Sequence, residues 1–492
     1  MSQPPSIAII GGGPGGLTLA RILALHDIPA TVFEADAHPL ARPQGGSLDM
    51  HPHTGQHALR LADLECEFLQ LARYGDQGGK VYHPNGELLF EDSNPHGNRP
   101  EIDRTQLRQL LLDALSAGTV RWNQKVRTVR PLDDGRYAVM ANGTPGEAFD
   151  LVVGADGAWS RVRPLLSDAE PFYEGVMVAE LGIDDVDGAN RAIGALVGHG
   201  KMFAKGRARL LAGQRNDNAH IRIYAAFRAP ESAVVLDTTR PAEAKIELAK
   251  LFADFAPKFL NLIATGTLLA VRPLYAMPIG HSWSNRPGVT LLGDAAHLMS
   301  PFGGEGANGA MADASDLAMA LIRHGDWRQA VAEYETTMFP RAEEAAQGAS
   351  DGLRGAVAED ALSHVLEHFT AARDRARSDA PRQLDVPTPK GLFETRLAQK
   401  TKNSSIQKTL NATYRFDLSG PTGGSWIVDF KEASAGVREG DGPCQCTVSM
   451  TDNDFVEILT GALDPRRAFT SGRLKVQGDM SLAMKISNIL TP

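Results

Sequence analysis

At 492 residues and 43% hydrophobic, the chain has material for more than one core, and its length suggests about three domains. Its 50 basic and 59 acidic residues give a net charge of −9 without any long Lys/Arg run, which argues against nucleic acid or an anionic membrane surface as the main partner. Cys66, Cys444 and Cys446 lack C-x-x-C spacing and a nearby histidine cluster, so reduced thiols in a cytoplasmic protein and no metal site are expected.

No apolar run approaches the ~18 residues that span a bilayer. The first ten residues lead straight into a strand, and no signal peptide is expected. That strand, Ile7-Ala8-Ile9-Ile10, runs into Gly11-Gly12-Gly13-Pro14-Gly15-Gly16 and a helix from Leu17 to about His26, then a second strand ending Thr31-Val32-Phe33-Glu34. The order is that of a dinucleotide-binding βαβ unit. Gly11 serves the tight turn, Gly13 lets the backbone approach a pyrophosphate, and Gly16 lets the helix pack on the strand. The helix N-terminus faces that pyrophosphate. Glu34 stands near the spacing of roughly 20 expected for an acid that binds a ribose hydroxyl. Because a carboxylate there repels a 2′-phosphate, the resident nucleotide is expected to be FAD or NAD.

In the loop Ala41 to Asp49, Arg42 can meet an incoming phosphate and Asp49 a sugar or flavin donor, or both can be ordinary loop residues. Leu59, Leu61, Leu64 and Phe68 predict the buried side of a short helix, and His83-Pro84-Asn85-Gly86 a hairpin turn. A helix follows from Asp103. Arg104 sits in its first turn, where a cation calls for an anion such as a phosphate or flavin, or else for a surface salt bridge.

Phe149 to Gly157 reads as a buried strand delivering Asp156 into a small-residue turn. From about Phe172 to Arg272 the text is strand-like. Alternation over Ile221 to Phe227 puts Ile221, Ile223 and Ala225 on one face, with Arg222 and Tyr224 on the other, facing either the flavin or solvent. Val289 to Leu292 then delivers Asp294, an acid placed to accept from ribityl hydroxyls. The turn Pro301-Phe302-Gly303-Gly304-Glu305-Gly306-Ala307-Asn308 opens a helix whose N-terminus can stabilise charge on a reduced flavin. His297 reads as a satisfied structural histidine. A long helix is expected after Ala312, and the proline-spaced run 379–390 is a linker.

Three signatures in this order, Gly11 to Gly16, Asp156-Gly157 and Gly293-Asp294, resemble those of the FAD-dependent class A aromatic monooxygenases. The runs Gly45 to Asp49, Pro100 to Arg104 and Gly293 to Met299 are most similar to the tetracycline-inactivating branch, over about Ser6 to Gln347. The resemblance implies FAD contacts from Glu34, Asp49, Arg104 and Asp294, with Asp156 and the turn at Pro301, Gly306, Ala307 and Asn308 also beside the cofactor. It implies an NADPH contact from Arg42, NADPH binding transiently because no second nucleotide fold is present. Oxygen transfer would run through a flavin 4a-hydroperoxide, and no side chain is nominated as an assured acid or base. Where tetracycline-acting members carry polar glutamine, arginine and histidine, the alignment places Val178, Lys201 and Arg222. This departure argues against tetracycline as the natural substrate and leaves Lys201, Arg222 and Tyr224 as substrate-side candidates.

Beyond the linker, Tyr414 to Leu418, Trp426 to Phe430 and Cys444 to Met450 alternate as half-buried antiparallel strands. Phe455, Val456, Leu459 and Leu463 predict one helix, and Leu482, Ile486, Ile489 and Leu490 a final one. Asp452 to Phe455, Gly461 to Pro465 and Gly472 to Asp479 resemble the sterol-carrier-protein type 2 domain. That resemblance implies an apolar tunnel for a lipid-like ligand, or else the same fold packed solid as a dimerisation or shielding module.

The expected fold class is therefore α/β and α+β. A Rossmann-like FAD-binding domain (1–175 and 273–325) is interleaved with a β-sheet substrate domain (176–272). A bridging helix region (326–378), the linker (379–390) and a C-terminal α+β lipid-carrier-like domain (391–492) follow. The expected activity is NAD(P)H- and FAD-dependent hydroxylation of a hydrophobic, aromatic or polycyclic molecule by a monomer or homodimer. A flavin-dependent dehydrogenase or reductase, and a lipid-binding protein with a vestigial flavin core, stand as alternatives.

Overall fold

The computed structural model describes residues 5–42, 44–93, 97–142, 146–232, 236–358, 389–401, 407, 410–431, 433–460, 468–469, 472–479 and 482. The chain divides into two compact units, Met1–Ala376 and Arg377–Pro492. Expectations for the rest of the bridging region and most of the linker (359–388), for part of the carrier-like motif (461–467) and for the final helical stripe (483–490) lie outside the described residues.

The first unit is organised by a five-stranded sheet in the order Val289–Leu291, Leu151–Gly154, Ile7–Ile10, Ala30–Phe33, Val120–Arg121, with every pairing parallel. Ile7–Ile10 is buried at all four positions, as a strand covered on both faces must be. The helix after the glycine turn spans Pro14–Leu25, three residues earlier than the sequence suggested. Proline suits the first helical position, because its φ is already helical and its missing N–H has no partner to lose. Leu59 to Phe68 forms two short helices, Gly55–Leu61 and Glu65–Leu71, broken where Asp63 takes φ +56°.

The substrate-side sheet has seven strands in the order Thr267–Ala276, Phe172–Ile183, Ile221–Arg228, Arg209–Arg215, Gly200–Gly206, Gly78–Tyr82, Leu88–Asp92. Its last two strands come from the N-terminal part of the chain, and Gly78–Tyr82 joins parallel to Gly200–Gly206. One face carries Ile221, Ile223 and Ala225 into a core completed by Leu248, Phe252, Phe259 and Leu262. Each such buried side chain contributes about 1.5–3 kcal/mol relative to exposure.

Two helices, Glu305–Arg323 and Trp327–Ala356, follow the second acidic turn. They part at His324-Gly325-Asp326, where the Asp326 carboxylate accepts from Arg328 N at 3.0 Å and caps the second.

The second unit is a five-stranded sheet in the order Gly436–Glu439, Gly424–Asp429, Thr413–Ser419, Cys446–Thr451, Lys475–Gly478, with the helix Asp452–Thr460. Two expectations are corrected. Thr413–Ser419 and Cys446–Thr451 pair parallel, not antiparallel; alternation reveals which face is apolar, but the connection decides strand direction. Cys446 is buried on that face, whereas Cys444 precedes the strand and sits half-exposed against Thr447 Oγ1.

Candidate functional site: a flavin cleft

At the first glycine turn, Gly11 takes φ +112°, and a Cβ on it would lie 2.3 Å from Ala155 O; one on Gly16 would lie 2.1 Å from Gly11 O. Neither position tolerates a side chain. Gly13 differs, because a Cβ there would meet nothing within 4 Å. Its backbone borders open space, as a pyrophosphate seat requires.

Glu34 follows the second strand directly and is buried. Its Oε2 accepts from Gly12 N at 2.7 Å and its Oε1 from Asp36 N at 2.8 Å. Arg108, also buried, reaches Glu34 at 3.5 Å and Asp36 at 3.1 Å and donates to Gly12 O at 3.3 Å. The sequence reading singled out Arg104 and passed over Arg108, one turn further on. The clue was helical spacing, which puts Arg108 among the buried positions Leu107, Leu110 and Leu111. Arg42 is largely exposed and pairs with Asp36 at 3.0 Å.

Asp156 Oδ2 accepts from Arg161 N at 2.6 Å, while Oδ1 is buried with no hydrogen-bond partner among the described residues. Burial raises this carboxyl above its ordinary value. Arg163 ties the turn to the second acidic motif, donating to Ala158 O at 2.6 Å and Ala295 O at 3.0 Å. Asp294 opens onto the cleft but is closely surrounded by protein, and this desolvation raises its carboxyl against the opposing charges of His297 and Arg104. Arg104 also acts on Tyr224, whose hydroxyl burial pushes up to about 12. Arg104 thus lies within electrostatic reach of both Asp294 and Tyr224.

His297 is tied to the fold but is not the fully satisfied histidine expected: its Nε2 meets Asp313 Oδ2 at 2.6 Å, Asp313 also accepts from Gly293 N and Arg341, and the histidine's Nδ1 is buried with no partner among the described residues. Asn308 is fully buried. Its Oδ1 accepts from His51 N at 2.9 Å and its Nδ2 donates to Asp49 O and Gly304 O, so its side chain fastens the helix start to the strand Ser47–Asp49. Ala307 packs against the main core, Gly306 lies near Asp294, and Pro301 is exposed at the turn.

Lys201 stands 3.3 Å from Asp49 Oδ1 and 2.9 Å from Glu101, itself buried. Burial would raise the Asp49 carboxyl, but Lys201 and His51 override it and hold it well below the usual carboxylate range. His51, raised despite burial by Asp49 and Glu305, links that carboxylate to Glu305 in the helix's first turn. Glu101, His51 and Glu305 had escaped notice because each gains its meaning only from strands and turns that are distant in sequence.

Arg222 and Tyr224 do not face bulk solvent. Arg222 pairs with Glu180 at 3.3 Å, and a Cβ on Gly46 would lie 2.4 Å from the Tyr224 hydroxyl, so this glycine permits the close approach of loop and sheet. Val178, Phe203 and Tyr224 share the sheet's cleft side with Leu353 and Phe302 in an apolar cluster.

A family model described as FAD binding domain matches residues 5–203 and 281–349, more than half of the chain. The chain belongs to the FAD-dependent class A monooxygenases. A second model, the SCP-2 sterol transfer family, matches residues 393–491. Among relatives of this class A monooxygenase, Monooxygenase penA of Penicillium thymicola is 32% identical over 401 residues, covering 69% of this chain and 92% of that protein. The crystal structure of Klebsiella pneumoniae HpxO complexed with FAD and uric acid aligns with a TM-score of 0.63 at 20% identity, over 76% of this chain and 92% of HpxO. Tetracycline destructase Tet(51) aligns with a TM-score of 0.58 at 21% identity, over 77% and 98%. The two structures show a shared fold. The open face at Gly13, the orphaned Asp156 Oδ1 and Asp294 opening onto the cleft fit FAD.

Proposed function

We propose that this monooxygenase uses NADPH to hydroxylate a flat, predominantly apolar ring compound, and that its C-terminal unit carries an apolar ligand of related character. The observation that supports this most is the pairing of a charged floor with an apolar roof. Arg104 and Asp294, within electrostatic reach of each other, would form the flavin side, and Val178, Phe203, Tyr224 and Phe302 belong to an apolar cluster on the sheet. Such a cleft holds a charged cofactor and excludes water from an apolar substrate above it.

Glu34 would hold the adenosine ribose, Gly13 the pyrophosphate in the turn that Gly11 and Gly16 shape, and Asp294 the ribityl chain. Asp49 and Arg104 would fix the isoalloxazine end, and Arg42 would meet NADPH. The chemistry FAD supplies when bound is acceptance of a hydride and activation of dioxygen for transfer of one oxygen atom. With the isoalloxazine held there, the N-terminal dipole of Glu305–Arg323 would stabilise negative charge on the reduced ring. Tyr224 remains protonated through the physiological range and so acts as a hydrogen-bond donor toward the substrate. Tethering a carrier unit to the enzyme raises the local concentration of ligand near the cleft.

Assaying phenolic and polycyclic compounds under labelled dioxygen tests the reading. One labelled oxygen atom in product per NADPH consumed is expected. Product formed without label would establish the dehydrogenase alternative, and a bound flavin that NADPH fails to bleach would establish a vestigial core.

A further inference from the structure

The helix Glu305–Arg323 begins at Gly304, which holds φ +70° and has no side chain with which to cap it. Its positive end is therefore left to other anions. Yet the first residue of the helix is Glu305, an acid that answers this positive end itself and so competes with a negatively charged flavin for the same dipole.

His51 stands between this acid and the ribbon that carries Asp49. Its Nδ1 lies 3.3 Å from Glu305 Oε1 and its Nε2 3.2 Å from Asp49 Oδ2, and the residue is 5% exposed. A neutral imidazole has one N–H and one lone pair, so one of the two carboxylates would face the lone pair. Only the imidazolium donates to both. Arg99, 3.3 Å from Nε2, opposes that charge, as does burial. The two carboxylates outweigh them, and His51 is raised above its ordinary value.

The contacts close on themselves. Lys201 pairs with Asp49 and Glu101, so that among the described residues the carboxylates of Asp49, Glu101 and Glu305 meet the cations Lys201, Arg99 and His51. A neutral His51 would leave one negative charge in excess at the helix start. Asp294, on the other side of that start, adds a carboxyl that burial raises against the charges of His297 and Arg104.

We propose that His51 is a positioning residue that sets the reduction potential of the flavin. As an imidazolium it pairs with Glu305, and the uncapped helix N-terminus is left to stabilise the negative charge of reduced FAD. This inference rests on the reading that the isoalloxazine lies at that helix start. It assigns His51 an effect on the ratio of reduced to oxidised FAD binding, beyond any effect on holding FAD.

The midpoint potential of the purified holoenzyme, measured against a reference dye, tests it. His51→Gln should lower the affinity for reduced over oxidised FAD about tenfold, the effect of an unpaired charge at a partly buried helix end, which for a two-electron couple is about 30 mV more negative. Adding Glu305→Gln to that variant should restore the potential, a rescue that mere structural damage at His51 would not allow. A measurement that needs no variant is the state of the imidazole itself: with nitrogen-labelled histidine, both ring nitrogens of wild-type His51 should still be protonated at about pH 7. A potential unchanged in His51→Gln overturns the proposal, as does a fall that Glu305→Gln fails to reverse, or a neutral His51 ring at that pH. In each of these cases a bound and reducible FAD leaves the flavin cleft standing. Protein that takes up no FAD overturns both.

Discussion

Lys201, on the substrate-side sheet, holds Asp49, on the flavin-side ribbon, at 3.3 Å, and the same ammonium reaches Glu101 at 2.9 Å. The residue that sequence comparison offered as a substrate contact is thus engaged with two carboxylates. It positions Asp49, and it joins the two walls of the cleft.

Lys201→Met should therefore lower flavin affinity at least about tenfold, because two carboxylates would then face each other uncompensated. Flavin release followed by fluorescence measures this. The pH dependence has a definite sign. Asp49 has a folded-state pKa below its unfolded value, so its ion pair stabilises the wild type above about pH 4 and the benefit is lost as pH falls further. The melting-temperature gap between wild type and variant should accordingly be widest near neutrality and close in acid.

Gly16→Ala should yield protein with almost no flavin. The added methyl would stand 2.1 Å from Gly11 O, a backbone atom that cannot swing aside as the end of a flexible side chain would. The stability loss should reach at least about 1–3 kcal/mol, the usual cost of overpacking. Absorbance at the flavin band and a denaturant titration separate the two effects. Gly13→Ala, facing open space, should instead fold normally and lose affinity alone.

Arg108→Met should destabilise the protein by about 3–5 kcal/mol, since it leaves buried Glu34 without its cation and Asp36 with only the exposed Arg42. Chemical denaturation reads this directly. Arg42→Met, at an exposed pair with Asp36, should cost at most about 1 kcal/mol. If NADPH docks at Arg42, that variant should raise the KM for NADPH and leave flavin content intact.

The contrast between these arginines shows what the sequence could reveal. The first glycine turn and the apolar strands Ile7–Ile10, Leu151–Gly154 and Val289–Leu291 were legible because each rests on local geometry: a glycine that must lack a Cβ, or a strand that must be apolar on both faces. The Lys201–Asp49–His51–Glu305 chain was not legible, since its members come from a sheet strand, a short ribbon, a loop and a helix start that only the tertiary fold brings together. Asn308 was read as part of the turn, but it lies inside the helix Glu305–Arg323, near its start. Its side chain, however, is occupied by His51, Asp49 and Gly304, a role that spacing cannot disclose.

His297→Asn should cost about 3 kcal/mol at pH 5–6. Burial opposes the charge on His297, but Asp313 raises its pKa above the ordinary value, and Asp313 is in turn lowered. The histidine's contribution is complete below about pH 6.5 and fades as pH rises through its folded value. The aspartate's is complete above about pH 4 and fades in acid. Melting curves of wild type and variant across pH 4–9 should therefore diverge most between those limits.

The parallel pairing of Gly78–Tyr82 with Gly200–Gly206 has a consequence for how the chain can be cut. A fragment limited to 176–272 would leave Gly200–Gly206 as a bare edge, its backbone donors and acceptors open to any other strand in solution. Such a fragment should self-associate, whereas one extended to include residues 73–93 on a short linker should stay monomeric. The sheet also cannot close until two distant stretches meet, so its completion should be a slow, late event in folding.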